Sequence, residues 1–268
     1  MKIALIGVGN LGLAIAQGIV DQNEFEVEQL VLTKRNVSNL DDWKKHKHVM
    51  VTPKNVDAVR ASDIIILCVQ PGQLSGILEE VKSYLEADRH VLISTITGKG
   101  TKEIEAIVGS NIPVIRAMPN TAISVGQSMT CLSTNAAGKP NLPLAERIFA
   151  SVGETMVIHE NMMQAATVVC ASGIAFWLRL IRATTQGAVQ LGFDAHDAQN
   201  MATQACLGAA TLLLKNGNHP EAEIDRVTTP QGCTIEGLNE MEHQGLSSAL
   251  IKGLKKSYDK ISNIASDK

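Results

Sequence analysis

The stretch KIALIGVGNLGLAIAQGIV, residues 2–20, decides the fold of the first half of the chain. An apolar run over residues 2–8 leads directly into a G-x-G-x-x-G pattern, and a helical apolar pattern follows over Leu11–Val20. In that pattern the first glycine permits a turn, the second lets the backbone approach a pyrophosphate, and the third lets helix and strand pack closely. The first N–H groups of the helix then face the anion. A dinucleotide site is therefore predicted at Gly7, Val8, Gly9, Asn10, Leu11 and Gly12.

The same segment also imitates a secretory signal, because a lysine precedes an apolar run that contains Ala-Ile-Ala. The strand pattern before the glycines and the helix pattern after them favour dinucleotide binding over a signal or a merely tight turn. Farther along, Arg179 and Arg182 interrupt the most apolar run, so no bilayer-spanning segment is expected.

The composition favours a small-molecule partner over nucleic acid. The 268 residues are 45% hydrophobic, enough for a sizeable core, and the net charge is -3 with only two Tyr, two Trp and four Phe. A nucleic-acid surface would need a basic face with aromatic platforms. The five cysteines form no C-x-x-C pair and no cluster with histidine at metal-ligand spacing. We therefore expect reduced thiols, a cytoplasmic location and no metal.

Short apolar runs alternate with helical stretches over the first part of the chain. Continuous Ile, Val and Leu runs are typical of strands that helices cover on both faces, and the alternation predicts an α/β fold with a mostly parallel sheet. The run at 128–133 could instead be loop. The predicted strands are residues 2–8, 29–33, 49–52, 63–69, 90–96, 113–118, 128–133 and 154–158.

The pattern becomes entirely helical in the last part of the chain, which predicts one domain over residues 1–158 and another over 159–268. Residues 162–191 have apolar side chains at helical spacing, and Asp194 is suited to cap a second helix that ends at NGNHP, residues 216–220. Helices this apolar need more cover than one subunit offers. We therefore expect a homodimer, or a higher homo-oligomer built from dimers.

The end of the second predicted strand discriminates between the two nicotinamide cofactors. An NAD site usually has a carboxylate there for the ribose hydroxyls, whereas this chain has Thr33, Lys34 and Arg35. A hydroxyl beside two cations suits a 2′-phosphate, which arginine can bind through two hydrogen bonds. NADPH is therefore the preferred cofactor, with NADH as the alternative. The other interpretation is that Lys34 and Arg35 are a solvated pair in a loop.

Two later strand ends outline the wall of a cleft. CVQPG, residues 68–72, and RAMPNTA, residues 116–122, each stop a buried strand at its carboxyl end, where open α/β sheets bind ligands. Taken alone, each is an ordinary turn between a strand and a loop. The cofactor-binding residues predicted from these two ends are Val69, Gln70, Pro71, Met118 and Asn120.

The glycine pattern, RAMPNTA and VTTPQGCTIEGL, residues 227–238, together resemble the pyrroline-5-carboxylate reductase family across essentially the full chain. The resemblance implies an N-terminal Rossmann-type domain, a helical C-terminal dimerisation domain and active sites formed with a neighbouring subunit. It implies reduction of a cyclic imino acid, foremost 1-pyrroline-5-carboxylate to proline, with NAD(P)H. It also implies that Asn55 contacts the adenosine end of the cofactor; otherwise Asn55 caps a helix.

The segment 229–234 is the predicted carboxylate site. A helix start offers N–H donors and a partial positive charge without a full charge beside the hydride path. Thr229 is suited to cap that helix and Pro230 to its first position, and the alternative is a purely structural cap. The family resemblance implies that the Thr234 hydroxyl meets the ring nitrogen. The predicted substrate-binding residues are Thr229, Gln231, Gly232, Cys233 and Thr234, of which Thr234 is the catalytic one.

The chain departs from the family pattern in three places. Ala171–Phe176 stands where Gly-Ser-Gly-Pro-Ala-Tyr is usual, Gln70 stands where Lys is common, and Gln231 and Cys233 replace smaller residues. Two alternatives therefore stay open: a related imine or ketone reductase that acts on a different small acid, and a non-catalytic NADP-binding sensor with the same fold. The absence of lysine between Lys139 and Lys215 favours imine chemistry over that of related hydroxyacid dehydrogenases.

Overall fold

The computed structural model describes residues 1–21 and 27–266, with the backbone alone for 262–266. Within these residues, eight strands form one sheet. The strands are β1 (Lys2–Ile6), β2 (Gln29–Thr33), β3 (Val49–Thr52), β4 (Ile64–Leu67), β5 (Val91–Ser94), β6 (Val114–Met118), β7 (Ser128–Thr134) and β8 (Gly153–Val157). Their order is β3-β2-β1-β4-β5-β6-β7-β8, and only β6 and β7 pair antiparallel.

Helices connect the strands and then continue alone to the end of the described chain. Five of them lie between strands, namely α1 (Asn10–Asp21), α2 (Asn55–Ala61), α3 (Leu74–Val81), α4 (Thr101–Val108) and α5 (Leu142–Ala150). The later ones are α6 (Met163–Ala166), α7 (Gly173–Gln190), α8 (Ala195–Asn216), α9 (Pro220–Val227), α10 (Cys233–His243) and α11 (Leu246–Ser266), and a π-helical turn over Thr167–Ser172 joins α6 to α7.

The strand register aligns the carboxyl ends of the central strands. Ile6, at the end of β1, pairs with Thr33 of β2 and Leu67 of β4, and Leu67 pairs in turn with Ser94 of β5. The strand order changes direction between β1 and β4, and ligands of open α/β sheets bind beyond the strand ends at such a point. The loops that follow these strands therefore meet at one edge of the sheet.

Two apolar cores cover the two faces of the sheet. On one face, α1 and α5 contribute side chains such as Ile15 and the fully buried Phe149. On the other face, α2, α3 and α4 contribute side chains such as Val59, Leu78 and Ile104. Because helices cover both faces, the inner strands need apolar residues at consecutive positions, which explains their continuous Ile, Val and Leu runs.

The predicted α/β fold is confirmed, and each predicted strand is present. The uncertain run at 128–133 is a strand because β7 pairs antiparallel with β6, from Ile115 opposite Thr134 to Met118 opposite Cys131. The segment that imitates a secretory signal forms β1 and α1. Asp194 caps α8 as predicted, since its carboxylate accepts hydrogen bonds from the N–H groups of His196 and Asp197.

The chain divides into two compact units. The first comprises residues 1–172 together with the chain from Tyr258 onward, and the second comprises Gly173–Ser257. The second unit is entirely helical, and α7 packs along α8 within it. The predicted domain boundary between residues 158 and 159 precedes this division and stays a prediction.

The helices of the second unit bury few of their own apolar side chains. In α7 and α8 the buried residues are Gly173, Thr185, Ala198 and Ala202. Large apolar side chains on the same helices and the loop between them are exposed, among them Trp177, Leu178, Leu191, Phe193, Leu207 and Leu214. This surface agrees with the expectation that these helices need a second subunit to cover them.

The expectation that no segment is long and apolar enough to span a bilayer is wrong. The helical run Glu160–Gln190 is long enough, and its most apolar stretch has a mean hydropathy of 1.5. Arg179 and Arg182 lie within this run, but its most apolar stretch still has the hydropathy of a membrane-spanning helix. Core helices of globular proteins can have the same length and hydropathy, so these two properties alone do not assign the run to a membrane.

Glu160 joins the start of the helical run to the sheet. Its carboxylate accepts hydrogen bonds from Arg116 Nη1 in β6 at 2.9 Å, from the Thr101 backbone N–H at the start of α4 at 3.1 Å, and from the Ser133 hydroxyl in β7. Arg116 is 7% exposed. A guanidinium buried to this extent requires a charged partner, which Glu160 supplies. Through its three hydrogen bonds, Glu160 also connects β6, α4 and β7.

We expect Glu160→Gln to lower the free energy of unfolding by about 3 kcal/mol, because it leaves the buried Arg116 charge without its counter-ion. Asp42→Asn is the matched control. Asp42 pairs with Lys45 on the surface, where the side chains are 92% and 77% exposed, so solvent screens the pair and that loss should be much smaller than the loss in Glu160→Gln. Urea denaturation of both variants measures the difference, and equal losses would contradict the role of Glu160.

Candidate functional site

Two adjoining cavities lie where the central strands end. The larger has a volume of about 740 Å³ and follows the ends of β1 to β4, and the smaller, of about 580 Å³, continues to the end of β5. Predicted cofactor-binding residues that line one or both cavities are Gly7, Val8, Gly9, Asn10, Leu11, Thr33, Lys34, Arg35, Asn55, Val69, Gln70 and Pro71. The strand ends thus form one elongated cleft of a size that suits a dinucleotide.

The three glycines of the fingerprint meet different surroundings. Gly7 has φ +83°, and a β-carbon built on it would overlap the Val69 side chain. A β-carbon on Gly12 would press against Val8 and Cys68 at 3.2–3.3 Å, so Gly12 is a packing residue and does not line either cavity. A β-carbon on Gly9 would meet no protein atom within 4 Å. The space beside Gly9 is therefore open for a ligand to approach the backbone.

Thr33 holds the fingerprint turn through a chain of hydrogen bonds. Its hydroxyl accepts from the Gly7 N–H at 3.2 Å and donates to Asn55 Oδ1 at 3.0 Å, and Asn55 Nδ2 donates to Glu80 at 2.9 Å. Because a carboxylate can only accept, Glu80 fixes which end of the Asn55 amide faces Thr33. Thr33 and Asn55 line the cavity, and both use their side chains to hold one another in place.

Glu80 is a cavity residue that the sequence reasoning missed. It lies on α3, far in sequence from the end of β2 where an acidic residue of a nucleotide site is sought. Thr95 and Thr97 were missed for a similar reason, since they follow β5 in a segment with no glycine or proline motif of its own before Gly98. The strand ends meet through the sheet register, which no local pattern reveals.

Lys34 and Arg35 both line the larger cavity. In the part of the chain that the structure describes, neither has a carboxylate within salt-bridge distance. Two cations without a protein counter-ion beside a nucleotide-sized cleft are suited to a phosphate.

Cys68 also lines both cavities, but burial raises the pKa of its thiol to about 12, so it stays protonated near neutral pH.

Met118 and Asn120 are predicted cofactor residues that line neither cavity. Met118 is 3% exposed within an apolar cluster. Asn120 is 7% exposed, its Oδ1 accepts from the Ala122 N–H at 2.9 Å, and its Nδ2 donates to the Cys170 carbonyl at 3.0 Å. Asn120 thus caps the turn after β6 and contacts the π-helical turn, and its role toward a cofactor stays a prediction.

The segment 229–234 begins differently from the prediction. Thr229 does not cap α10, and Pro230 is not its first residue, because Gly232 is the N-cap and Cys233 begins the helix. The Gly232 N–H instead bonds to the Thr229 carbonyl at 2.9 Å and closes a turn with Pro230 in its second position. The third position is Gln231, whose φ of 59° is the only positive value on a described residue other than glycine. Proline followed by a positive φ is typical of a type II turn.

The start of α10 offers free donors. Gly232 supplies no side-chain cap, so the first N–H groups, those of Cys233, Thr234 and Ile235, have no acceptor within the described residues. A β-carbon on Gly232 would overlap the Thr229 hydroxyl, which shows how closely the turn folds over the helix start. Thr229, Gln231 and Cys233 are exposed, and Gly232 and Thr234 are half-buried. The predicted substrate residues therefore form one amide-rich corner, with Thr234 on its first helical turn.

The two halves of the chain match two family models. Residues 160–264 match the one described as pyrroline-5-carboxylate reductase dimerisation, and residues 2–98 match the one described as NADP oxidoreductase, coenzyme F420-dependent. The first match covers the second unit and the helical run before it, and the second covers β1 to β5.

Three known proteins are similar over nearly the whole chain. Pyrroline-5-carboxylate reductase 1 of Dictyostelium discoideum is 46% identical over 99% of this chain and 50% of its own length. Pyrroline-5-carboxylate reductase 2 of that organism is 40% identical over 97% of this chain and 92% of its own length. The chain thus spans half of the first relative and nearly all of the second. The solved pyrroline-5-carboxylate reductase of Coxiella burnetii superposes with a TM-score of 0.90, at 29% identity over 97% of both chains.

Two glycine variants separate packing from ligand access. We expect Gly9→Ala to leave the melting temperature nearly unchanged and to weaken NADPH binding by at least about tenfold, roughly 1.4 kcal/mol, because the methyl group enters the open space. Gly7→Ala should lower the free energy of unfolding by at least about 1–2 kcal/mol, since alanine disfavours a positive φ and overlaps Val69. Fluorescence titration and thermal denaturation measure both. Unaltered NADPH affinity in Gly9→Ala would contradict this location for the dinucleotide.

Proposed function

The chain belongs to the pyrroline-5-carboxylate reductase family, and from that premise we propose that it reduces 1-pyrroline-5-carboxylate to proline with NADPH. The observation that carries the proposal is the pairing of two features on one chain. A dinucleotide-sized cleft follows the fingerprint in the first unit, and an amide-rich helix start bears Thr234 in the second. The two relatives that match 99% and 97% of this chain are named as reductases of this substrate.

The cleft supports NADPH as the hydride donor. The open backbone at Gly9 and the start of α1 suit the pyrophosphate, and Lys34 and Arg35 suit a 2′-phosphate. The first turn of α1 contains no acidic residue that would repel the pyrophosphate. NADH lacks the 2′-phosphate and would use the same cleft without those two cations, so it remains a weaker alternative donor.

The start of α10 supports the substrate assignment. The substrate carboxylate accepts hydrogen bonds from the free N–H groups of the first turn, and Thr229, Gln231 and Cys233 surround that position. The Thr234 hydroxyl forms a hydrogen bond with the ring nitrogen and can donate or accept as the ring changes state. When bound, NADPH supplies the hydride that adds to the carbon–nitrogen double bond. The chain contributes positioning and a nitrogen partner, which is what addition to an iminium requires.

A second copy of the chain is the partner that the exposed apolar surface of α7 and α8 favours. The exposed apolar side chains of α7 and α8 lie within residues 160–264, the part that matches a dimerisation domain. Their burial against a partner chain would remove the unfavourable exposure of the second unit. We propose a homodimer or a larger assembly of dimers, in the cytoplasm, without a membrane or nucleic acid as partner.

Steady-state oxidation of NADPH with 1-pyrroline-5-carboxylate tests the function, with other cyclic imines and small keto acids as comparison substrates. The expected result is the highest kcat/KM for 1-pyrroline-5-carboxylate. Faster turnover of another imine or ketone would favour the related-reductase alternative. Tight NADPH binding with no oxidation on any substrate would favour the non-catalytic sensor.

Thr234→Ala should lower kcat roughly 100-fold, because the ring nitrogen loses its hydrogen-bond partner. The NADPH dissociation constant should be unchanged, since Thr234 is not among the residues that line the dinucleotide cleft. Thr234→Ser is the matched control, and it should restore most of the rate because it keeps the hydroxyl. Full activity of Thr234→Ala would remove this residue from the mechanism.

Arg35→Ala should raise the KM for NADPH roughly tenfold, by loss of a charge-assisted hydrogen bond to the 2′-phosphate. The KM for NADH should change by less than about twofold, because NADH has no such group. Lys45→Ala, in an exposed ion pair that lines neither cavity, controls for the loss of a positive charge. Equal effects on the two cofactors would exclude the assigned contact.

A further inference from the structure

Two cysteines lie side by side where the sheet meets the helical run. Cys131 belongs to β7 and is 2% exposed, and Cys170 belongs to the π-helical turn and is half-buried. Their sulfur atoms are 3.9 Å apart. They are far apart in sequence, so the tertiary fold alone brings them together.

The surroundings of the pair favour a thiol reaction over metal binding. Cys131 packs in a small apolar cluster with Met118 and Met163, and Cys170 packs against that cluster. Across residues 1–21 and 27–266 no group of three or more His, Cys, Asp or Glu is arranged to hold a metal ion. Two sulfurs in contact without further ligands are the arrangement from which a disulfide forms.

We propose that Cys131 and Cys170 form an intramolecular disulfide site that reacts with peroxides, and that the cross-link slows turnover. The first part stands on the geometry alone, and the second part rests on the proposed function. A disulfide requires the sulfurs, now 3.9 Å apart, to approach to about 2.05 Å, so bond formation moves one or both cysteine side chains.

The two thiols are suited to different roles in the reaction. The hydrogen bond from the Cys131 thiol lowers the pKa of Cys170 to about 7, and the same hydrogen bond, with burial, raises the pKa of Cys131. Cys170 is also the more exposed of the two. Cys170 is therefore the attacking thiolate, and Cys131 is the thiol that resolves the intermediate.

Hydrogen peroxide is the oxidant in two balanced steps. The Cys170 thiolate attacks one peroxide oxygen, the O–O bond breaks, and a sulfenic acid and hydroxide form. The Cys131 sulfur then attacks the Cys170 sulfur, the S–O bond breaks, and a disulfide and water form. The two thiols lose two electrons and two protons in total, and the peroxide becomes two molecules of water.

Asn120 connects this pair to the strand end that follows β6. Its side-chain amide donates to the Cys170 carbonyl at 3.0 Å, and its backbone N–H donates to the Ser128 hydroxyl of β7 at 3.1 Å. Any backbone movement of Cys170 toward Cys131 therefore acts on the hydrogen bond that orients the Asn120 side chain. Met118, two residues earlier, packs in the same cluster, and Met118 and Asn120 are both predicted cofactor residues, so we infer that the cross-link slows turnover through the end of β6.

Mass spectrometry of the full-length protein tests the cross-link. Reduced protein is treated with hydrogen peroxide, alkylated and digested with trypsin; Arg147 separates the peptides of the two cysteines. The expected product is one linked Cys131–Cys170 peptide that dithiothreitol releases, with the count of free thiols reduced by two from five. Cys206→Ser should form the same peptide, and Cys170→Ser should not. Oxidation at Cys206 or Cys233 while Cys131 and Cys170 remain alkylated would overturn the proposal.

The rate of NADPH oxidation tests the second part. In the unsubstituted protein the loss of rate should follow the cross-linked fraction and recover with dithiothreitol. Cys170→Ser should keep its own initial rate after peroxide treatment. An equal loss in Cys170→Ser would assign the effect to another thiol and overturn the link to turnover. A protein that oxidises no NADPH at all would refute the proposed function, whereas the linked peptide would still decide whether the disulfide site exists.

Discussion

The fold of the candidate nucleotide site depends on how the backbone of Gly7 is held. Its N–H lies against both the carbonyl and the hydroxyl of Thr33, at 3.1 and 3.2 Å, and Val69 closes the space where a side chain would be. These contacts join the ends of β1, β2 and β4 within one turn. The open position at Gly9 and the start of α1 follow from that turn, because the chain leaves Gly7 in a fixed direction. The cleft is thus a consequence of one tightly constrained residue.

A second constraint is the unmet burial of the helical unit. α7 and α8 bury small residues such as Ala198 and Ala202 against their surroundings, while large side chains such as Trp177 and Leu214 stay exposed. Burying apolar area is the main favourable term in folding, so a unit that leaves so much of it uncovered is incomplete as a monomer. The same apolar pattern gives the run Glu160–Gln190 the length and hydropathy of a membrane-spanning helix. A subunit interface explains this composition without a bilayer.

The sequence predicted the sheet well because its signals are local. Continuous apolar runs specify buried strands, and the glycine spacing specifies the turn after β1. The contacts between distant residues could not be predicted in this way. Glu80 reaches Asn55 from another helix, Glu160 reaches Arg116 across the first unit, and neither carries a motif. The predicted cap of α10 by Thr229 is wrong for a different reason, since Thr229 and Pro230 fit a helix cap and a turn equally well.

The turn before α10 determines which N–H groups the helix leaves free. Gln231 adopts φ 59°, a conformation that disfavours any residue with a β-carbon by about 1–2 kcal/mol, and the neighbouring Gly232 has no room for one. The strain persists because Pro230 fixes one side of the turn and the Gly232–Thr229 hydrogen bond fixes the other. A helix capped by a threonine side chain would spend its first donors on that cap. Here the turn leaves the first N–H groups of α10 free, which is the arrangement that an incoming carboxylate requires.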